Sequence, residues 1–178
     1  MQNTIQTGRL ILREWRDEDL IPFSAFNSDP RVMKHFMQTL DSEQSDRLAR
    51  RIRSEFDKNG YGLWAVEIKG GAPFVGFIGL ASPTFQARFT PCVEIGWRLA
   101  FEHQGHGFAT EGAGAVLDFA FQQIKLNEVV SFTSVENLPS IHVMEKIGMK
   151  RDPENFLHPA IPDGHPLQLH VLYRKTSP

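Results

Sequence analysis

At 178 residues the chain has the length of one ordinary domain, with enough side chains to bury a substantial core. Its composition, 41% hydrophobic and 22% charged, is that of a folded globular protein and excludes a disordered one. Its 19 basic residues against 21 acidic ones leave a net charge of −2. No Lys/Arg-rich run is present to track a phosphate backbone, so no nucleic-acid partner is expected.

The longest apolar stretches are strand-sized, which gives no transmembrane span, and segment 1–7 is polar and lacks the apolar core of a signal peptide. Cys92 is the only cysteine, so no internal disulfide can form, and a cytoplasmic location is expected. Without repeats or low-complexity linkers, residues 1–178 read as a single domain.

In chain order, Arg9-Leu10-Ile11-Leu12-Arg13-Glu14-Trp15 alternates enough to form a first strand. Asp17 is expected to cap a short helix carrying Leu20, Phe23 and Phe26, which Asp29-Pro30 ends. Asp41 with Gln44 three residues on reads as a capping box. The helix it opens carries Leu48, Ile52 and Phe56, and Asn59-Gly60 closes it. Segments 61–68 and 74–80 flank a Gly-Gly-Ala-Pro turn and predict a hairpin. The proline-containing stretch 81–91 predicts a loop, and 92–100 a strand.

Residues 110–124 place Ala113, Val116, Leu117, Ala120, Phe121 and Ile124 on one face of an amphipathic helix. The β-branched segment 128–135 predicts a strand. Asn137 can cap a short helix carrying Ile141, Met144 and Ile147 that stops at Gly148. A long connection rich in Pro and His leads to a last strand at 167–174. A meander, then strand–helix–strand, then helix and strands, predicts a mixed α/β sheet and not a doubly wound one.

The chemistry concentrates in Gln104-Gly105-His106-Gly107-Phe108-Ala109-Thr110-Glu111, set between a predicted strand and the long helix. Two glycines and an alanine let the backbone approach a ligand, and the first N–H groups of the helix face outward with the positive end of its dipole. Such a turn can hold a pyrophosphate without any arginine or lysine. A plain strand-to-helix turn explains the glycines alone equally well. A dinucleotide fingerprint needs a third glycine where Thr110 stands, and no P-loop run exists.

The same stretch resembles the Gln/Arg-x-x-Gly-x-Gly/Ala loop that holds the coenzyme A pyrophosphate in the GNAT N-acetyltransferases. Downstream, Asn137-Leu138-Pro139-Ser140 with Glu145-Lys146-Ile147-Gly148-Met149 is similar to a second segment of that family. Gly8-Arg9-Leu10-Ile11-Leu12-Arg13 and Glu94-Ile95-Gly96-Trp97 resemble the opening and central strands of its RimJ/RimL-like branch, which acetylates ribosomal-protein N-termini. The resemblance covers residues 8–149 and extends toward the last strand.

It implies a mostly antiparallel central sheet with a splayed central strand and flanking helices, and acetyl-CoA as cofactor. The pantetheine arm would pair with the main chain of Trp97, Arg98 and Leu99. The pyrophosphate would lie on Gln104, Gly105, His106, Gly107, Phe108, Ala109 and Thr110, and Asn137 and Ser140 would touch the thioester end. Glu94 on the central strand is the candidate general base for an amine that is mostly protonated at neutral pH. A structural ion pair is the competing account of that carboxylate.

Many relatives carry a tyrosine as general acid four residues after the Ser140 position. Here Met144 stands there, so either Ser140 assists the departing thiolate or the thiolate leaves unaided. The histidines His103, His106, His158, His165 and His170 fit no zinc spacing, and no metal is expected. His158 or His170 could line the acceptor pocket, although solvated loop positions explain them as well. The resemblance predicts an enzyme that acetylates a peptide N-terminus or a small amine, and family habit suggests a homodimer. A non-catalytic acyl-CoA sensor and a nicotinamide-binding protein are the alternatives.

Overall fold

A computed structural model of the chain describes residues 4–178. Residues 1–3 of the polar opening segment lie outside them. Among the described residues nine strands make one sheet: β1 (Ile5–Gln6), β2 (Leu10–Arg13), β3 (Leu63–Ile68), β4 (Gly76–Ala81), β5 (Glu94–Leu99), β6 (Glu128–Ser134), β7 (Lys150–Arg151), β8 (Phe156–Leu157) and β9 (Leu169–Thr176). Their order across the sheet is β1-β2-β3-β4-β5-β6-β9-β7, with β8 also on β9. Every pairing is antiparallel except β5 with β6. Four α-helices flank it: α1 (Leu20–Asn27), α2 (Ser42–Asn59), α3 (Phe108–Phe119) and α4 (Leu138–Lys146).

The predicted stops and starts are set by local chemistry. Asp41 accepts from the Gln44 amide at 2.7 Å while the Gln44 side chain accepts from the Asp41 amide, and Gly60 ends α2 in the left-handed region. Asp17 does not cap the first helix. Residues Asp17–Asp19 form one 3₁₀ turn, Asp19 accepts from the Arg16 amide, and Asp17 pairs with Arg53 instead. The buried Asp19 carboxylate takes both guanidinium nitrogens of Arg13, a bidentate pair that outcompetes a simple cap. The Pro- and His-rich connection contains β7 and β8, each only two residues long and thus beneath any periodic signal.

Alternation along the strands divides the apolar residues between the two faces of the sheet. On one face Leu10, Leu12, Trp64, Ile78, Leu80, Ile95 and Leu99 pack against Ala113, Val116 and Leu117 of α3 and Met144 of α4. On the other face Phe74, Phe77 and Ala65 pack under α1 and α2 with Trp15, Phe23, Phe26 and Ile52. A separate aromatic cluster built on Val130, Leu172, Phe89, Phe132 and Phe156 covers the β6–β9 side of that same face. Buried rings such as Phe23 and Trp64 each contribute roughly 1.5–3 kcal/mol or more through burial, which fixes the strand register on both faces.

Candidate active site

β5 and β6 run parallel but pair at one position only, Glu94 opposite Val130; beyond it the strands diverge. The main-chain groups of one residue point to one strand edge and those of the next to the other. The Val93 carbonyl accepts from the Val130 amide at 2.9 Å, so the odd-numbered residues of β5 face β6. Two of the carbonyls freed by the splay have partners: Ile95 accepts from the Ser131 hydroxyl at 2.9 Å, and Leu99 from the Gln104 side chain at 2.9 Å. Between them the N–H and C=O of Trp97 and the N–H of Leu99 face the gap without a protein partner among the described residues. Arg98 turns its main chain to β4, opposite Phe77. An extended amide-bearing chain laid into the gap would complete the edge.

At the open end of β5 the chain turns through Gln104-Gly105-His106-Gly107 into α3. Gly105 and Gly107 take φ of 77° and 81°, the left-handed region in which a Cβ is strained. The first intrahelical bond is from the Glu111 amide to the Gly107 carbonyl, so the amides of Phe108, Ala109 and Thr110 have no partner within the helix. Arg9, on the far side of the sequence, lies against this turn. Its guanidinium donates to the His106 carbonyl at 3.0 Å, pairs with Glu111 at 2.6 Å and covers the Phe108 ring. The sequence around the turn holds no arginine or lysine; the fold brings one, Arg9, from 97 residues away. Only a long-range pairing brings it there, so no local pattern could have announced it.

Glu94, Gly96 and Arg98 share the face of β5 opposite α3, since Ile95, Trp97 and Leu99 belong to the α3 core. Glu94 is largely enclosed and makes no hydrogen bond or ion pair with the described residues, so desolvation raises its pKa from 4.5 to about 8. Such a carboxylate can accept a proton near neutral pH. Cys92, two residues away, is no nucleophile: burial, reinforced by the Glu94 charge, pushes its thiol up to about 11.

Across the gap, on the α3 side, stands the start of α4. The Asn137 side chain accepts from the Ser140 amide at 3.4 Å and donates to the Thr133 hydroxyl at 2.8 Å, so it acts as a helix cap tied to β6. The Ser140 hydroxyl has no hydrogen-bond partner among the described residues and is half-buried. Met144 is 1% exposed and packs within the α3 core, so this position presents no hydroxyl to the gap. Tyr173 is committed to Glu145 at 3.1 Å.

The histidines separate into two groups. His103 and His106 stand by the α3 turn, whereas His158 and His170 lie with their ring centroids 4.9 Å apart beside Phe132 and Phe156. His165 accepts from the Leu167 amide and holds a turn. Two surface depressions, of about 430 and 300 Å³, lie at the β2–α1 and β2–α2 edges, and include neither Glu94 nor any residue of the turn or the splay.

Comparison with known proteins agrees with this geometry. The model of the acetyltransferase (GNAT) domain matches residues 9–150. The uncharacterised N-acetyltransferase YnaD of Bacillus subtilis is 30% identical over 162 residues, covering 90% of this chain and 89% of that one. A spermidine N(1)-acetyltransferase of Vibrio cholerae is 25% identical over 141 residues, 79% of each. The crystal structure of a GNAT-family acetyltransferase from Bacillus anthracis superposes with a TM-score of 0.79 at 27% identity, covering 97% of this chain and 98% of that one. The splayed sheet, the glycine turn and these matches converge: the chain belongs to the GNAT acetyltransferase family, whose acyl donor is acetyl-CoA.

Proposed function

We propose that this acetyltransferase moves the acetyl group to a primary amine by direct attack, with Glu94 as general base. The observation that carries the reading is an enclosed carboxylate without a partner among the described residues, at the apex of a gap whose edge stays open at Trp97 and the Leu99 amide. Bound acetyl-CoA would supply an electrophilic thioester carbonyl. The free main chain of Trp97 and Leu99 would hold its amide-bearing arm, and the amides and Arg9 at the turn would hold its pyrophosphate.

In this scheme the acceptor approaches from the Glu94 face. As the N–C bond formed and the C–S bond broke, Glu94 would receive the ammonium proton directly or through water, and the Trp97 amide would polarise the carbonyl. On the α4 side the Ser140 hydroxyl would lend the leaving sulfur a proton and regain it from solvent. Asn137 sets the position of Ser140 through the cap.

Glu94 and the turn favour turnover over a silent acyl-CoA sensor, and the missing third glycine disfavours a nicotinamide. The likeness of Gly8–Arg13 and Glu94–Trp97 to the RimJ/RimL-like branch favours an acceptor presented as an α-amine. A cytoplasmic homodimer completes the reading, and sedimentation of the purified protein tests the assembly. Calorimetric titration with acetyl-CoA and, separately, NADH tests the cofactor: acetyl-CoA alone should bind. No response to acetyl-CoA from folded protein would overturn the proposal.

A further inference from the structure

The face of β5 that carries Glu94 is bounded by two unlike walls. On the α1 side stands Arg98. Its guanidinium donates to the Asn27 side chain at 2.7 Å and stacks over Phe36 at 4.2 Å, but its Nε is buried without an acceptor. No carboxylate pairs with it among the described residues. A largely enclosed cation with no counter-charge is costly, and its desolvation pulls the group down to about 10. Asn27 is itself held by Ser45 at 3.2 Å, so the guanidinium is positioned and not merely lodged there. Gly96, between Glu94 and Arg98, has no side chain to fill the floor, and a Cβ there would meet nothing nearer than Glu94 at 4.0 Å.

On the β6 side the wall is aromatic. Val130 is in register with Glu94, so Val130, Phe132 and the rings upon them stand on the same face as the carboxylate. Phe85, Phe132, Phe156 and His158 are all only half-buried, so part of their ring surface stays accessible on the face that carries Glu94. Backbone contacts fix the two imidazoles. His158 Nδ1 accepts from the Ala160 amide, while His170 Nδ1 faces the Gln168 carbonyl at 3.1 Å and so carries its proton there. Burial keeps both neutral by lowering their affinity for a second proton, His170 to about 4. The wall therefore offers apolar and aromatic surface without charge.

From these two walls we infer that the acceptor is an α-amino acid with an aromatic side chain, its carboxylate on Arg98 and its ring against Phe85, Phe132, Phe156 and His158. The amine then lies between them, over Gly96 and within reach of Glu94. A polyamine would place further cations against Arg98 and neutral rings, where neither wall carries a carboxylate to receive them. This inference rests on the acetyl-transfer reading and sharpens it to a substrate class.

The test compares L-phenylalanine with phenethylamine, L-alanine and spermidine as acceptors, by thiol release from acetyl-CoA. Titration of N-acetyl-L-phenylalanine and N-acetylphenethylamine into the protein saturated with coenzyme A gives a second readout that needs no turnover. Loss of the carboxylate should lower kcat/KM and product affinity on the order of tenfold to a hundredfold. In Arg98→Met that ratio should fall toward one, and in Phe132→Ala the preference for phenylalanine over alanine should fall. Because each readout is a ratio within one preparation, partial unfolding of a variant cancels. Equal or better use of phenethylamine or spermidine, or equal binding of the two acetylated products, would overturn the inference while leaving acetyl transfer intact. Failure of coenzyme A itself to bind would overturn both.

Discussion

Replacing Glu94 by Gln removes one carboxylate and keeps its shape, and two consequences follow from its environment. In the folded chain the group titrates near 8, whereas in the unfolded chain it titrates near its ordinary 4.5. Between those values the folded state holds a proton that the unfolded state has lost, so this residue makes stability fall as pH rises through the window. A shift of that size corresponds to about 5 kcal/mol, and residual solvent contact reduces it to roughly 2–3 kcal/mol. The Gln variant cannot lose a proton. Relative to wild type it should match near pH 4.5 and become more stable by that amount near pH 9, a difference of roughly 4–12 °C in Tm for a chain of this size. In activity the sign reverses. At pH 7 only about one wild-type molecule in ten carries the ionised base, so kcat/KM should climb nearly tenfold per pH unit and level off above 8. An acceptor whose amine titrates well below 7 keeps its own ionisation out of the profile. Thermal melts from pH 4.5 to 9 and matching rate profiles read both effects. Parallel melting curves together with an unchanged rate profile in Glu94→Gln would refute the assignment of this carboxylate as an enclosed base.

Three further substitutions examine the gap and its turn. Gly107→Ala forces a Cβ into a left-handed conformation and to 3.4 Å from the Arg9 guanidinium; it should cost about 1–2 kcal/mol and weaken acetyl-CoA binding in calorimetry, and full affinity would show that the turn is not the binding element. Ser140→Ala should slow turnover by about tenfold or more while leaving the acetyl-CoA dissociation constant unchanged; equal losses in both would make the hydroxyl a mere contact. Ser131→Ala strips the Ile95 carbonyl of a side-chain donor in the interior, so urea denaturation should show a loss of about 1–3 kcal/mol, and an unmoved midpoint would contradict the proposed satisfaction of the splayed edge.

Much of the architecture was legible in residue order because local signals and tertiary packing agree. The Asp41–Gln44 box, the Gly60 and Gly148 stops and the apolar face of α3 each fall where their chemistry requires. Asp17 misled because its cap signal is local while the winning interaction, Asp19 with Arg13, depends on how β2 enters the core. Arg9 could be read as a strand residue but not as a neighbour of His106, and Arg98 as a strand residue but not as an enclosed cation facing Phe36. Both roles arise from which edge and which face the sheet assigns, and a single strand's sequence does not state its partners. The half-exposed ring cluster escaped for the same reason, its members coming from a loop, from β6, from β8 and from the segment that follows β8.

The gap between β5 and β6 is selective in what it leaves open. A strand edge released by accident would expose consecutive main-chain groups, and those cut off from water would each cost free energy. Here Ser131 covers Ile95, Gln104 covers Leu99, and the groups of Trp97 stand uncovered between them. The two faces of the same strand differ as sharply. Its α3 side presents the Asn137 cap and an unpartnered Ser140 hydroxyl, and the opposite side presents Glu94, bare Gly96 and Arg98. A thioester held at the open edge would thus have its leaving sulfur on one side of the sheet and its attacking amine on the other. Nucleophile and leaving group would then never compete for the same proton-handling residue. On that reading, one chain can carry an enclosed carboxylate and a hydroxyl with no partner among the described residues around a single gap without pairing them to each other.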